Sequence, residues 1–189
     1  MKLAIILGTT RLGRQSEKVA RSVQQAFQAN PEVEIKLLDI VQYAFPVFEE
    51  RLAYLKDPHP DLVSFSESLQ WAEAIVFIIP EYNGSLPGTF KNAFDHFHSE
   101  YKRKPMGVVC VSDGKFGGVQ ASLQLQTLIL HVFGYPMPLK LLVPNVSTAY
   151  DDQGMLIEPN ITRQLDRFVT EFLWFAEAIV RQKMIAPIQ

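Results

Sequence analysis

Residues 80–88 read Pro80-Glu81-Tyr82-Asn83-Gly84-Ser85-Leu86-Pro87-Gly88 and run on into Phe90-Lys91-Asn92-Ala93-Phe94-Asp95. Directly before them stands the unbroken apolar run Ala74-Ile75-Val76-Phe77-Ile78-Ile79. Its length and β-branched content fit a strand buried on both faces, the kind found in parallel sheets. A strand that ends in a polar, Gly/Pro-punctuated loop and restarts as a helix places that loop at the carboxyl edge of such a sheet, where open α/β sheets bind ligands. Pro87 suits the first turn of the following helix, where a missing N–H costs little. Glu81, Tyr82 and Asn83 are thereby expected to project outward on a loop with fixed ends. Taken alone, an ordinary βα turn accounts for these residues equally well.

Working outward, five apolar runs alternate with helical patterns: Leu3 to Leu7, Val33 to Leu38, Ala74 to Ile79, Gly107 to Val111 and Leu139 to Val143. Val19, Val23, Ala26 and Phe27 mark an amphipathic helix over Ser16 to Ala29. Leu62, Phe65 and Leu69 mark a shorter one over Asp61 to Trp71, and Pro87 to Ser99 and Gly118 to Phe133 supply two more. A last helix over Ile161 to Arg181 carries Leu165, Phe168, Phe172, Phe175 and Ile179. Strict βα alternation with right-handed crossovers predicts a parallel sheet covered on both faces, in one domain over residues 1–189. Periodicity does not give the strand order.

At 48 % apolar and 20 % charged residues the composition is that of a globular protein, and a net charge of −2 provides no basic field for nucleic acid or anionic membrane. Cys110, the single cysteine, excludes an intramolecular disulfide and sits in an apolar run, as a small buried hydrophobe does. The apolar start Met1 to Leu7 is too short for a signal core and runs into Gly8-Thr9-Thr10-Arg11, so a first strand and a cytoplasmic location are expected.

Two further loops should share the edge. Gly8-Thr9-Thr10-Arg11-Leu12-Gly13-Arg14-Gln15-Ser16 opens the first helix. Backbone N–H groups at a helix start, with hydroxyls and a guanidinium, make a phosphate cradle. Neither a Walker A loop nor a dinucleotide fingerprint fits its spacing, and a hydroxyl-rich N-cap with a solvated arginine remains open. Ser112-Asp113-Gly114-Lys115-Phe116-Gly117-Gly118 follows the fourth run; its three glycines would let backbone approach a flat ligand, or simply make a flexible surface loop.

The Glu-Tyr-Asn-Gly-Ser-x-Pro-Gly and Lys-Asn-Ala-x-Asp pair resembles the isoalloxazine-binding loop of the NADPH-dependent FMN reductase family, a branch of the flavodoxin-like proteins. Pro46-Val47-Phe48-Glu49-Glu50 and Asp151-Asp152-Gln153-Gly154 extend the likeness over almost the whole chain. The resemblance implies a flavodoxin-like three-layer α/β sandwich with strand order 2-1-3-4-5. It implies bound FMN reduced by NADPH or NADH in ping-pong fashion, with a quinone, flavin, azo compound or metal oxyanion as acceptor. It assigns Thr9, Thr10, Arg11, Gln15 and Ser16 to the phosphate, with Thr9 where the family usually has Ser. It assigns Pro80, Glu81, Tyr82, Asn83 and Gly84 to the ring system, with Ser112, Gly114, Gly117 and Gly118 along its other side, the last two leaving room for the ring. No catalytic acid, base or metal ligand is expected, because hydride chemistry belongs to the cofactor. A one-electron carrier like flavodoxin and a flavin-free regulatory member of the fold are the alternatives.

His96 and His98, two apart on a helix, point about 200° apart and cannot share a metal. The helix after the third loop is apolar nearly all round, and Phe90, Phe94, Phe97 and Tyr101 crowd its neighbour. Such surplus apolar surface predicts a homodimer, or a dimer of dimers, built from these two helices.

Overall fold

The computed structural model describes residues 1–186, so the end of the expected 1–189 domain lies outside the described residues. Five parallel strands, β1 (Lys2–Leu7), β2 (Glu34–Asp39), β3 (Ala74–Pro80), β4 (Pro105–Val111) and β5 (Tyr135–Val143), form one sheet in the order β2-β1-β3-β4-β5. Helices α1 (Ser16–Gln28) and α6 (Pro159–Ile185) cover one face; α2 (Pro60–Trp71), α3 (Gly88–Asp95) and α4 (Val119–His131) cover the other. This is the three-layer arrangement the resemblance implies. Alternate residues of each strand feed opposite layers: Ile5, Val76 and Val109 pack on α1 and α6, while Ile6, Phe77 and Val108 pack under α2, α3 and α4.

Several expected boundaries shift for physical reasons. β5 begins at Tyr135 rather than Leu139, although it contains Pro136 and Pro138. Tyr135 N–H turns inward to donate to Lys104 O at 2.8 Å, so Pro136 turns outward on an edge strand, where a missing donor breaks no ladder bond. The ladder between β4 and β5 then shifts register between Met106 and Val108. α3 stops at Asp95, short of the expected Ser99. A four-residue helix, α5 (Val146–Ala149), follows β5, where the apolar and helical patterns mark no element.

One correction concerns the aromatic row of α3 and its extension. Phe90, Phe94, Phe97 and Tyr101 are all buried in this chain's own core, with Phe94 and Tyr101 stacked at 4.5 Å between ring centroids. They offer nothing to a second copy. The exposed apolar surface on that side comes instead from Leu123 and Leu130 of α4 and the adjoining Phe133.

Candidate functional site

Because all strands run the same way, β1, β3, β4 and β5 deliver their carboxyl ends, and the loops that follow, to one edge. A cleft of about 450 Å³ opens there, lined from the first loop by Arg11, Gly13, Arg14, Gln15 and Ser16. Pro80, Glu81 and Tyr82 come from the second loop, Val111 to Gly114 from the third, and Val146 and Ser147 from α5. A cleft of this size suits a small molecule.

The first loop is held from inside. Thr9 is fully buried; its hydroxyl accepts the Arg11 N–H at 3.3 Å and lies 2.7 Å from the Tyr82 phenol oxygen. Arg14 folds back under the loop and donates from Nη1 to Thr9 O and to Asp39 Oδ1, both at 2.6 Å, and from Nη2 to Asp39 Oδ2. Asp39 ends β2 and also accepts the Val41 N–H at 3.2 Å. The hydrogen bonds that Arg14 donates to Asp39, against the opposing effect of burial, raise the Arg14 pKa and keep its charge fixed. Arg11 stays exposed at the mouth, its guanidinium 5.8 Å from the Tyr82 ring centroid. Sequence reasoning singled out Arg11 and passed over Arg14, whose role shows only once Asp39 is placed beside it.

Beneath this loop α1 begins without a side-chain cap. Ser16 is 2 % exposed, and its Oγ has no hydrogen-bond partner among the described residues; neither has the buried Oε1 of Gln15. A buried hydroxyl without a partner is costly and calls for a ligand. Ser16 Oγ can donate to a phosphate oxygen beside the free N–H groups of the helix start. Gln15 Oε1 is an acceptor and suits a hydroxyl of the ligand rather than its phosphate. These groups fit a sugar-alcohol phosphate.

The second loop is a tight hairpin. Tyr82 and Ser85 exchange both backbone hydrogen bonds, at 2.9 and 3.0 Å, across Asn83 (φ 53°) and Gly84 (φ 71°). Asn-Gly at the two positive-φ positions is the signature of a type I′ turn. Asn83 and Gly84 are therefore exposed at its tip, outside the cleft lining. Ser85 Oγ donates to Gln124 Oε1 at 2.8 Å and Gln124 Nε2 to Gly84 O at 3.1 Å, which ties the hairpin to α4. Glu81 corrects an expectation: its carboxylate turns in, where Oε2 accepts the N–H groups of Gln120 and Ala121 at 2.9 and 3.1 Å. Gly118, at the N-cap of α4, has no side chain to do this, so Glu81 caps the helix from another loop.

In the third loop Ser112 Oγ accepts the Gly114 N–H at 2.9 Å. Asp113 Oδ1 accepts from both the hydroxyl and the N–H of Ser147, and these bonds hold the Asp113 carboxyl below its usual pKa. Gly117 and Gly118 also differ from expectation. A Cβ on Gly117 would lie 3.0 Å from Leu142 Cβ and Val143 N, and one on Gly118 would lie 3.0 Å from Cys110 Cβ. Their φ values of 61° and 85° exclude most side chains besides. The space these glycines clear faces the sheet, so that α4 can start close to β4 and β5, and neither lines the cleft. Phe116, 67 % exposed under Lys115, was not singled out, and neither were Val146 and Ser147. The fifth strand's carboxyl end necessarily reaches the same edge, and that was the signal available for α5.

Thr10 lines a neighbouring cleft across the first loop. Among the described residues, no group of three or more His, Cys, Asp or Glu is placed to hold a metal ion, and no helix is long and apolar enough to cross a membrane. Cys110 is fully buried beneath the site, and burial pushes its thiol pKa far up.

An NAD(P)H-dependent FMN reductase of Nectria sp is 32 % identical over 152 residues, which are 76 % of this chain and 75 % of the relative. A quinone reductase of Pseudomonas putida is 27 % identical over 178 residues, 89 % of this chain and 92 % of the relative. Among solved structures, FerB, a flavoenzyme NAD(P)H:(acceptor) oxidoreductase from Paracoccus denitrificans, superimposes with a TM-score of 0.78 at 25 % identity, over 94 % of this chain and 97 % of that one. The model of the NADPH-dependent FMN reductases matches residues 1–148. The chain belongs to the NADPH-dependent FMN reductase family, oxidoreductases that use FMN with NAD(P)H as reductant.

Proposed function

We propose that the cleft holds FMN with its phosphate at the start of α1 and its ring system between the second and third loops, and that the chain passes reducing equivalents from NAD(P)H to a small acceptor in ping-pong fashion. The observation that carries this reading is the buried, partnerless Ser16 hydroxyl on the floor of a cleft bounded by three carboxyl-edge loops. Ser16, Thr10 and Arg11 bind the phosphate, while Thr9 acts from behind through Arg11 N–H and Tyr82. Tyr82 forms the side wall, and Ser112 and Gly114 present backbone to the ring. Bound FMN supplies the hydride-accepting chemistry, so no side chain is assigned as acid or base. A quinone is the first acceptor to try, in view of the Pseudomonas putida relative; free flavin, azo compounds and metal oxyanions follow.

The proposal includes a homodimer that buries Leu123, Leu130 and Phe133, which are 50 %, 61 % and 61 % exposed. Light scattering showing only a mass near 21.5 kDa at micromolar concentration, with full activity, removes the dimer. For the activity, the purified protein is saturated with FMN and its visible flavin spectrum followed through an anaerobic NADPH titration, with quinone then added. Bleaching by NADPH, recovery on quinone and parallel double-reciprocal plots are expected. A spectrum that NADPH leaves unchanged overturns the reading.

A further inference from the structure

A second cleft, of about 500 Å³, lies on the other side of the phosphate loop and shares Arg11, Gly13, Arg14 and Gln15 with the first. Apart from Thr10, none of the residues that line it alone is used by the FMN site. Leu12 at 95 % and Val41 at 52 % exposure both line it, two apolar side chains that the fold leaves in water in one groove. Lys18 and Arg21, one turn apart on α1, line it together with the 152–154 turn, which lies beside Lys18. Four cationic residues line the cleft against two carboxylates, Glu17 and Asp152, in a chain whose net charge is −2. Arg14 is neutralised by Asp39, and Arg21 is held by Glu17 at 2.5 Å, which fixes its position on the wall. Among the described residues, Lys18 Nζ makes only a long hydrogen bond, 3.5 Å, to Asp151 O. Apolar faces for a flat heterocycle and cations for a dianionic phosphate thus occur in one groove that adjoins the cofactor's phosphate.

We propose that this second cleft is the subsite for the adenosine 2′-phosphate end of the reducing dinucleotide, with the base on Leu12 and Val41 and the 2′-phosphate on Lys18 and Arg21. The inference rests on the FMN reading above, and it gives the protein a preference for NADPH over NADH.

The test titrates adenosine 2′,5′-bisphosphate, and 5′-AMP as control, into FMN-loaded protein by calorimetry, for wild type and for the double variant Lys18→Gln/Arg21→Gln. Both side chains lie at the surface, so the variant should fold, which circular dichroism checks. The bisphosphate should bind wild type more tightly than 5′-AMP, and the variant should lose about tenfold of that affinity, the order of two partly exposed ion pairs. FMN affinity should stay within about twofold, and the NADPH/NADH ratio of kcat/KM should fall by about tenfold. A protein that holds FMN and oxidises NADPH yet ignores the bisphosphate, or binds it equally well in the variant, overturns the subsite and leaves the FMN reading intact. Failure to take up FMN at all is read separately, from the flavin spectrum. FAD retained more tightly than FMN by wild type but not by the variant also overturns the assignment, since the groove would then serve the adenylate of a larger flavin.

Discussion

The Tyr82 phenol oxygen and the Thr9 hydroxyl lie 2.7 Å apart, and that contact joins the phosphate loop to the hairpin forming the opposite wall of the cleft. Thr9 is wholly buried, so its hydroxyl serves the protein rather than facing the ligand. Replacing it with the isosteric Val strands the Arg11 N–H and one end of the phenol. Thr9→Val should cost about 1–2 kcal/mol in urea unfolding, whereas Thr9→Ser should cost less. Combined with Tyr82→Phe in a double-mutant cycle, a coupling of about 1 kcal/mol is expected; additive effects would sink the latch.

Ser16→Ala should have opposite consequences in the two states of the protein. Without FMN, removing a buried hydroxyl that has no partner is neutral or slightly stabilising. With FMN, a charge-assisted bond to the phosphate is lost, and affinity should fall by about 1.5–3 kcal/mol. Arg11→Ala should weaken FMN by about 2–3 kcal/mol for the same reason. Paired thermal melts of apo and loaded protein, with flavin titrations, decide both.

Arg14→Met leaves the Asp39 carboxylate, with a side chain only 12 % exposed, beneath a loop without its partner. A loss of about 3 kcal/mol is expected. The double variant Arg14→Met/Asp39→Leu should recover much of it, because the pair itself contributes less than its rupture costs. Chemical denaturation of the three variants would show whether the clamp behaves this way.

Glu81→Ala should remove the cap of α4 and cost about 1 kcal/mol, while Glu81→Gln, which keeps one acceptor oxygen, should cost less. Hydrogen exchange at Gln120 and Ala121 should speed up in the Ala variant. Unchanged protection at those two amides would refute the cap.

Lys104 supplies a pH dependence. Burial, reinforced by the nearby Lys183, pushes its pKa from 10.5 down to about 8, and it donates to the carbonyl of Leu69 near the end of α2. Its folded pKa lies below the unfolded one, so between pH 8 and about 10 the unfolded chain holds a proton that the native state has released. Stability should therefore rise with pH across that window, and relative to Lys104→Met the gain should reach about 1–2 kcal/mol after allowance for partial exposure. Denaturation midpoints of both proteins at pH 7.5, 8.5 and 9.5 test the slope. A difference that stays flat removes the claim.

The sheet and its covering helices were legible because buried parallel strands write continuous apolar runs and covering helices write a 3.6-residue period. The edge loops were legible as a group for the same reason. What each side chain does there was less so. Asn83-Gly84 carries a hairpin signal in two letters, while the family resemblance assigns it to the ring system; that it forms an exposed hairpin tip shows only in the structure. Glu81 looks like a presented carboxylate until Gly118 is seen to lack a cap 37 positions later. Arg14 and Asp39 are 25 residues apart, and no local pattern pairs them. Tertiary partners of this kind are set by crossovers, which periodicity does not encode. The first half of β5 was not legible because Pro136 and Pro138 break the apolar run, which starts only at Leu139; proline argues against a strand only where its missing N–H would face a neighbour.

Those prolines also bear on how copies of this protein can meet. An open sheet exposes two rims, and an unpaired rim invites a stranger's strand to continue the ladder, the route by which native folds become fibrils. On the β5 rim Pro136 faces outward with no hydrogen to offer, and Pro138 removes a second donor two residues later, just where the strand departs from regular register. Growth by strand addition is therefore blocked over the first half of that rim. Along that part of the rim, contact between copies is left to side-chain packing, which adds no ladder for a further strand to extend.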